Sequence, residues 1–116
     1  MGLTVKAVFV ELPPFSRYRS DYFTDESYRA FQNELLLNPE KGDVIQGTGG
    51  LRKVRVADMQ RNKGKRGGSR VIYYWFSARS HFLLFTVYGK DMQDDLSPDE
   101  RKALAAMLRT IKETPL

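Results

Sequence analysis

The chain has 116 residues, 41% of them hydrophobic and 28% charged, the composition of a globular fold with one modest core. It has no cysteine, which excludes disulfides and thiolate chemistry, and no apolar run approaching the ~20 residues needed to cross a bilayer as a helix. The formal charge is +5, yet residues 50–70 alone hold eight cations (Arg52, Lys53, Arg55, Arg61, Lys63, Lys65, Arg66 and Arg70) against one acid, Asp58. The positive field is local, and a local field points to a polyanionic partner such as nucleic acid or an acidic protein.

In chain order, Leu3–Val10 is short and apolar and reads as a strand that ends at Pro13-Pro14. No signal-peptide pattern precedes it, and the lack of cysteine fits a reducing cytoplasm. Phe15–Tyr22 reads as a short helix. Thr24 is a helix N-cap, with Asp25 and Glu26 in the first turn and a hydrophobic staple between Phe23 and Tyr28. Tyr28, Phe31, Leu35 and Leu36 form that second helix's apolar stripe, and Asn38-Pro39 stops it. Gly42–Gly50 is a glycine-rich loop.

Leu51–Ala57 alternates as a strand, with Val54 and Val56 on one face and Lys53 and Arg55 on the other. Arg61–Arg70 (RNKGKRGGSR) is a basic turn, in which Gly67 and Gly68 permit tight folding and close approach to a backbone. Val71–Phe76 and Phe82–Tyr88 are apolar on both faces, as central strands are; most of Tyr73, Tyr74, Trp75 and Phe76 therefore belong to the core. Ser97-Pro98-Asp99-Glu100 is a capping box, and Leu104, Met107, Leu108 and Ile111 give the last helix its stripe. The order is β-α-α-β-β-β-α. It predicts one α+β domain over residues 1–116, with a twisted antiparallel sheet of about four strands packed against helices.

Elimination narrows the chemistry. The lone histidine, His81, lacks the partners of a triad or a zinc site. Gly64-Lys65 and Gly89-Lys90 are not phosphate-binding P-loops, because Arg66 and Asp91 stand where Ser or Thr is needed. Asp91, Asp94, Asp95, Asp99 and Glu100 read as capping and solvating acids, not metal ligands. No metal or cofactor is expected.

The cations remain. Lys53 and Arg55 share a strand face, Arg70 opens the next strand and Lys90 follows the one after, so a meander would bring the four together. Mutual repulsion would lower a lysine pKa toward neutrality, making Lys53 a general base or an electrostatic stabiliser. Arg55 and Arg70 would brace a phosphate. Tyr88 could stack a base or, like Lys90, protonate a leaving group. Arg52, Arg61, Lys63, Lys65 and Arg66 would grip an RNA backbone. These groups suit metal-independent RNA cleavage by 2′-OH attack on the adjacent phosphate. On the residues alone, a basic face that binds polyanions without chemistry is the favoured reading.

GDVIQGTGGLRKVRVA, KGKRGGSRVIYYW and LLFTVYGKDMQDDLSPDER together resemble the HigB-type branch of the RelE/ParE toxin superfamily over nearly the whole chain. The resemblance implies the RelE-like fold and the toxin of a type II toxin–antitoxin pair. It implies an mRNA interferase, cutting mRNA on the 70S ribosome without metal, and a cognate antitoxin of the DNA-binding, HigA-like kind. It places the strand cations of RelE-type toxins on Lys53 and Arg55, the arginine after the hairpin on Arg70, and the strand-end cation on Lys90. The chain departs from RelE at Asp91, where RelE has arginine, and in lacking a tyrosine near its C-terminus. The ParE branch supplies a second reading, a non-enzymatic poison of DNA gyrase. An RNA-binding module without cleavage is a third.

Overall fold

A computed structural model describes residues 6–57 and 68–115. The elements follow the order β1 (Val8–Glu11), α1 (Pro13–Tyr22), α2 (Asp25–Leu37), β2 (Asp43–Val44), β3 (Arg52–Val56), β4 (Ser69–Phe76), a 3-10 turn (Ser77–Arg79), β5 (His81–Gly89) and α3 (Pro98–Glu113). This is the expected α+β order with one added two-residue strand inside the glycine-rich loop. Pro13 and Pro14 do not merely end the first strand. They open α1, where the N–H that proline lacks would have no helical partner.

The sheet has five strands in the order β1-β5-β4-β3-β2. The β3–β4–β5 meander is antiparallel, as expected. The sheet as a whole is mixed, because β1 runs parallel to β5 with Val8 opposite His81 and Glu11 opposite Leu84. Parallel pairing needs a long crossover, and the whole α1-to-β4 segment supplies it. Local patterning carries no trace of such a pairing.

Each face of the sheet carries its own core. Under α1 and α2 lie Phe15, Phe23, Tyr28, Phe31, Leu35, Val54, Val71, Tyr73, Phe82, Leu84 and Val87. Under α3 lie Leu51, Ile72, Leu83, Phe85, Tyr88, Leu96, Leu104 and Leu108. Both long helices start on capping boxes, Thr24 with Ser27 and Ser97 with Glu100. The predicted staple forms, with the Phe23 and Tyr28 rings 5.5 Å apart. Gly42 is required by close approach: a Cβ there would come within 2.9 Å of both the Lys53 carbonyl oxygen and the Tyr73 ring. The Gly42 N–H donates to the Tyr73 hydroxyl, which donates in turn to the Pro39 carbonyl.

One bulge matters for the site. Ile72 pairs with Thr86 but Tyr73 pairs with Leu84, so Phe85 is an extra residue in β5. A one-residue slip exchanges the faces of a strand. Phe82 and Leu84 therefore enter the α1/α2 core, whereas Tyr88, an even number of residues further on, enters the α3 side.

A carboxylate ties the first three elements together. Glu11, on β1, accepts hydrogen bonds from Arg19 (2.8 Å) and Ser16 (3.1 Å) of α1 and from Tyr28 (2.9 Å) of α2. Burial opposes its ionisation, but these three hydrogen bonds and the Arg19 charge outweigh it and hold its pKa below the ordinary value. Glu11→Ala strands the buried Tyr28 hydroxyl and is expected to cost about 1–3 kcal/mol in urea denaturation. A carboxylate with a depressed folded pKa stabilises above its unfolded pKa of about 4.3, and that stability disappears as pH falls through the folded value. The variant should therefore lose less stability on acidification than the parent does.

Candidate active site

Strand alternation does the first part of the positioning. Val54 is buried under α1 and α2 with Val56 packed beside it, so Lys53 and Arg55 project from the other face of β3. Cross-strand register does the rest. Arg55 lies opposite Arg70, and Arg70 lies opposite Tyr88, so three side chains form one row across β3, β4 and β5. Paired residues project from the same face, and neighbouring strands lie about 4.8 Å apart, so the row spans about 10 Å. Lys53 stands one row along, opposite Ile72.

The row is dry at its centre. Arg70 is only 4% exposed, and its Nη1 donates to the Ser69 carbonyl at 3.2 Å. Burial lowers its pKa, the neighbouring Arg55 adds to that, and Tyr88 opposes it. A guanidinium nevertheless stays charged at any physiological pH. Tyr88 is 7% exposed, and its hydroxyl lies near Asp95 without a well-formed hydrogen bond. Burial pushes its pKa up to about 12, helped by the negative charge of Asp95 and against the pull of Arg70. At neutral pH Tyr88 is thus a hydroxyl, able to donate.

Asp95, from the segment leading into α3, closes the site on one side. Its Oδ1 accepts from the Leu96 N–H at 2.8 Å and lies 3.5 Å from Lys53 Nζ; its Oδ2 lies 3.9 Å from Arg101 Nη2. Burial alone would raise its pKa, but the Leu96 N–H, Lys53 and Arg101 together hold it below the ordinary value. The open side of Lys53 and Arg55 borders a cleft of 270 Å³, lined also by Lys41, Asp43 and Val54.

Of the other residues expected in the site, Lys90 lies just past the end of β5, two residues after Tyr88, and Arg52 lies on the opposite face of β3. Lys90 follows β5 and reaches Asp94 at 3.3 Å, while its backbone N–H holds the Gly68 carbonyl. Arg52 alternates to the α1/α2 face. There it donates to the Gly42 and Glu40 carbonyls at 2.7 and 3.2 Å and pins the turn before β2. His81 lies at the other end of β5, seven residues and about 20 Å from Tyr88. Arg61, Lys63, Lys65 and Arg66 lie outside the described residues. Asp95 and Arg101 are the site residues that sequence reasoning missed. The run of acids before Ser97 looks like capping chemistry, and nothing in it distinguishes the carboxylate that folds back onto β3.

No family model matches the sequence. Among solved structures, the chain is similar to the toxin RelE of E. coli, in a double arginine-to-alanine variant in the free state. The TM-score is 0.53 at 10% identity, over 88% of this chain and 96% of that chain. The chain therefore has the RelE fold, with three helices and a mixed five-stranded sheet among the described residues.

Proposed function

We propose that the chain is a HigB-like toxin of a type II toxin–antitoxin pair, and that it cleaves mRNA on the 70S ribosome by 2′-OH attack on the adjacent phosphate. The observation that carries this reading is the Arg55–Arg70–Tyr88 row on a RelE-like sheet. Such a row offers two guanidinium groups, one of them buried, to the charge that develops on a pentacoordinate phosphorane. It also offers a protonated phenol to the departing 5′-oxygen. Lys90, ion-paired with Asp94 at the end of β5, is a second donor for that step. Ribosome and message are the working partners, in the cytoplasm, and a DNA-binding antitoxin is the neutralising one. Among the described residues, no helix is long and apolar enough to cross a membrane.

Lys53 is either the base toward the 2′-OH or a further cation, and Lys53→Arg separates the two, because arginine keeps the charge and cannot act as a base. The Lys53 ammonium already serves as a charge in the pair with Asp95. Lys53→Arg is therefore expected to cleave within about tenfold of the parent, and Lys53→Gln to lose about 100-fold, the usual weight of one such electrostatic contact. Parental activity in Lys53→Gln, or none in Lys53→Arg, overturns the electrostatic role.

The reading as a whole is tested by primer extension on a translated message with purified protein. Cuts within codons, dependent on translation, support it. Double-strand DNA breaks without message cuts would instead favour a gyrase poison, and salt-dependent RNA binding without cuts a non-catalytic binder.

A further inference from the structure

Asp95 has no role in the chemistry proposed above, yet its carboxylate sits among groups suited to an anion. Lys53 Nζ is 3.5 Å from Oδ1, Arg101 Nη2 is 3.9 Å from Oδ2, and the Leu96 N–H donates to Oδ1 at 2.8 Å. The buried Tyr88 hydroxyl lies near enough to Asp95 for the carboxylate to raise its pKa, without a hydrogen bond of good geometry. Arg101 Nε is buried with no hydrogen-bond partner, and the guanidinium meets the protein here only through its 3.9 Å approach to Asp95. Two cations, a backbone N–H and a phenol around one pair of oxygens are the donors that the two free oxygens of a phosphodiester would use.

We propose that the position held by the Asp95 carboxylate is a phosphate subsite, with Lys53 and Arg101 as its cations, and that Asp95 is its resident occupant in the free protein, displaced when a polynucleotide binds. The polymer's identity rests on the RNA reading above. Lys53 is two residues, about 7 Å, along β3 from Arg55, so the subsite takes a phosphate neighbouring the one held by the Arg55–Arg70–Tyr88 row. Displacement is easy. The Asp95 side chain is 48% exposed, and half-exposed ion pairs contribute little to stability. A phosphate bridging the same cations adds charge-assisted bonds to Arg101 and brings a polymer that gains contacts elsewhere.

The test is fluorescence anisotropy with a labelled 2′-deoxy oligonucleotide, which lacks the hydroxyl needed for cleavage. Asp95→Asn removes the competing charge and keeps an oxygen for the Leu96 N–H. It is expected to bind three- to tenfold more tightly at low salt. Asp95→Ser should tighten binding similarly, which guards against a folding artefact of one variant. Arg101→Gln should weaken binding by a similar factor and reduce the slope of log affinity against log salt by about 0.7, one single-strand phosphate. In Asp95→Asn/Arg101→Gln the tightening should vanish. The subsite is refuted if Asp95→Asn and Asp95→Ser bind no tighter than the parent, or if the double variant keeps the full gain. If these binding results hold while no translated message is cut, the subsite stands and the nuclease reading falls. If message is cut but neither Asp95 variant binds tighter, the reverse holds.

Discussion

Arg70→Met is expected to fold with a stability within about 1 kcal/mol of the parent and to cleave translated message about 100- to 1000-fold more slowly. The two halves of this expectation have one cause. Arg70 sits at the centre of the row, 4% exposed, between Arg55 and Tyr88. Burial and the adjacent Arg55 both act against its charge, which offsets what its hydrogen bond to the Ser69 carbonyl contributes. Methionine keeps most of the stem's length and packing while removing the desolvated charge, and exchanges of that kind are often neutral. The phosphorane, by contrast, loses the cation with the least water around it, where a charge counts most. Arg70→Lys restores charge without the two-pronged guanidinium and should fall between the two, since a bidentate contact is lost. An exposed arginine of α2, Arg29, is the natural control, and its methionine variant should cleave at the parental rate. Urea denaturation and primer extension on the same preparations check both halves. A stable Arg70→Met that cuts at full rate removes Arg70 from the site.

What the sequence made legible, and what it did not, follows from the range of the forces involved. Capping at Thr24 and Ser97, the Phe23–Tyr28 staple and the apolar stripes of α2 and α3 depend on residues within one or two turns, and they stand where expected. The facing of Lys53 and Arg55 follows from alternation with the buried Val54. Their meeting with Arg70 follows from a short antiparallel meander. The parallel pairing of β1 with β5 depends on a partner 73 residues distant and leaves no local mark. Tyr88 is the instructive case. Counting in twos from Leu84 places it on the α1/α2 face, away from the cations. The extra residue at Phe85 reverses that and delivers Tyr88 to Arg70. A bulge inside a continuously apolar strand has no periodicity to disturb, so register alone reveals it. The fate of Asp95 was hidden for a different reason: its partner Lys53 comes from β3, 42 residues away, and meets it only in the folded sheet.

Tyr88→Phe is expected to lower cleavage by about 100-fold, the smaller end of what a positioned proton donor supplies, while leaving the fold as stable as the parent or up to about 1 kcal/mol more stable. Activity and stability separate because of the hydroxyl's surroundings. It is buried near Asp95 without a well-formed hydrogen bond, so the folded state bears its desolvation with little in exchange. Phenylalanine keeps the ring against Leu96 and Leu104 and drops the stranded oxygen. A protein that carries such a group in place of phenylalanine carries it for what it does with a substrate present.

The same group leaves a signature in pH. A folded pKa of about 12 against an unfolded value near 10 means that the native state binds the proton more tightly. Its contribution to stability is complete below about pH 10 and is lost as pH rises toward 12. Tyr28 and Tyr73 are raised in the same direction, so parental stability should decline through this window for all three. In Tyr88→Phe that decline should be shallower by the Tyr88 share. A variant that loses cleavage together with stability would show that the hydroxyl holds the site together. One that keeps full cleavage would pass the leaving-group role to Lys90. Loss of cleavage with stability intact and the alkaline decline flattened is the outcome that a proton donor requires.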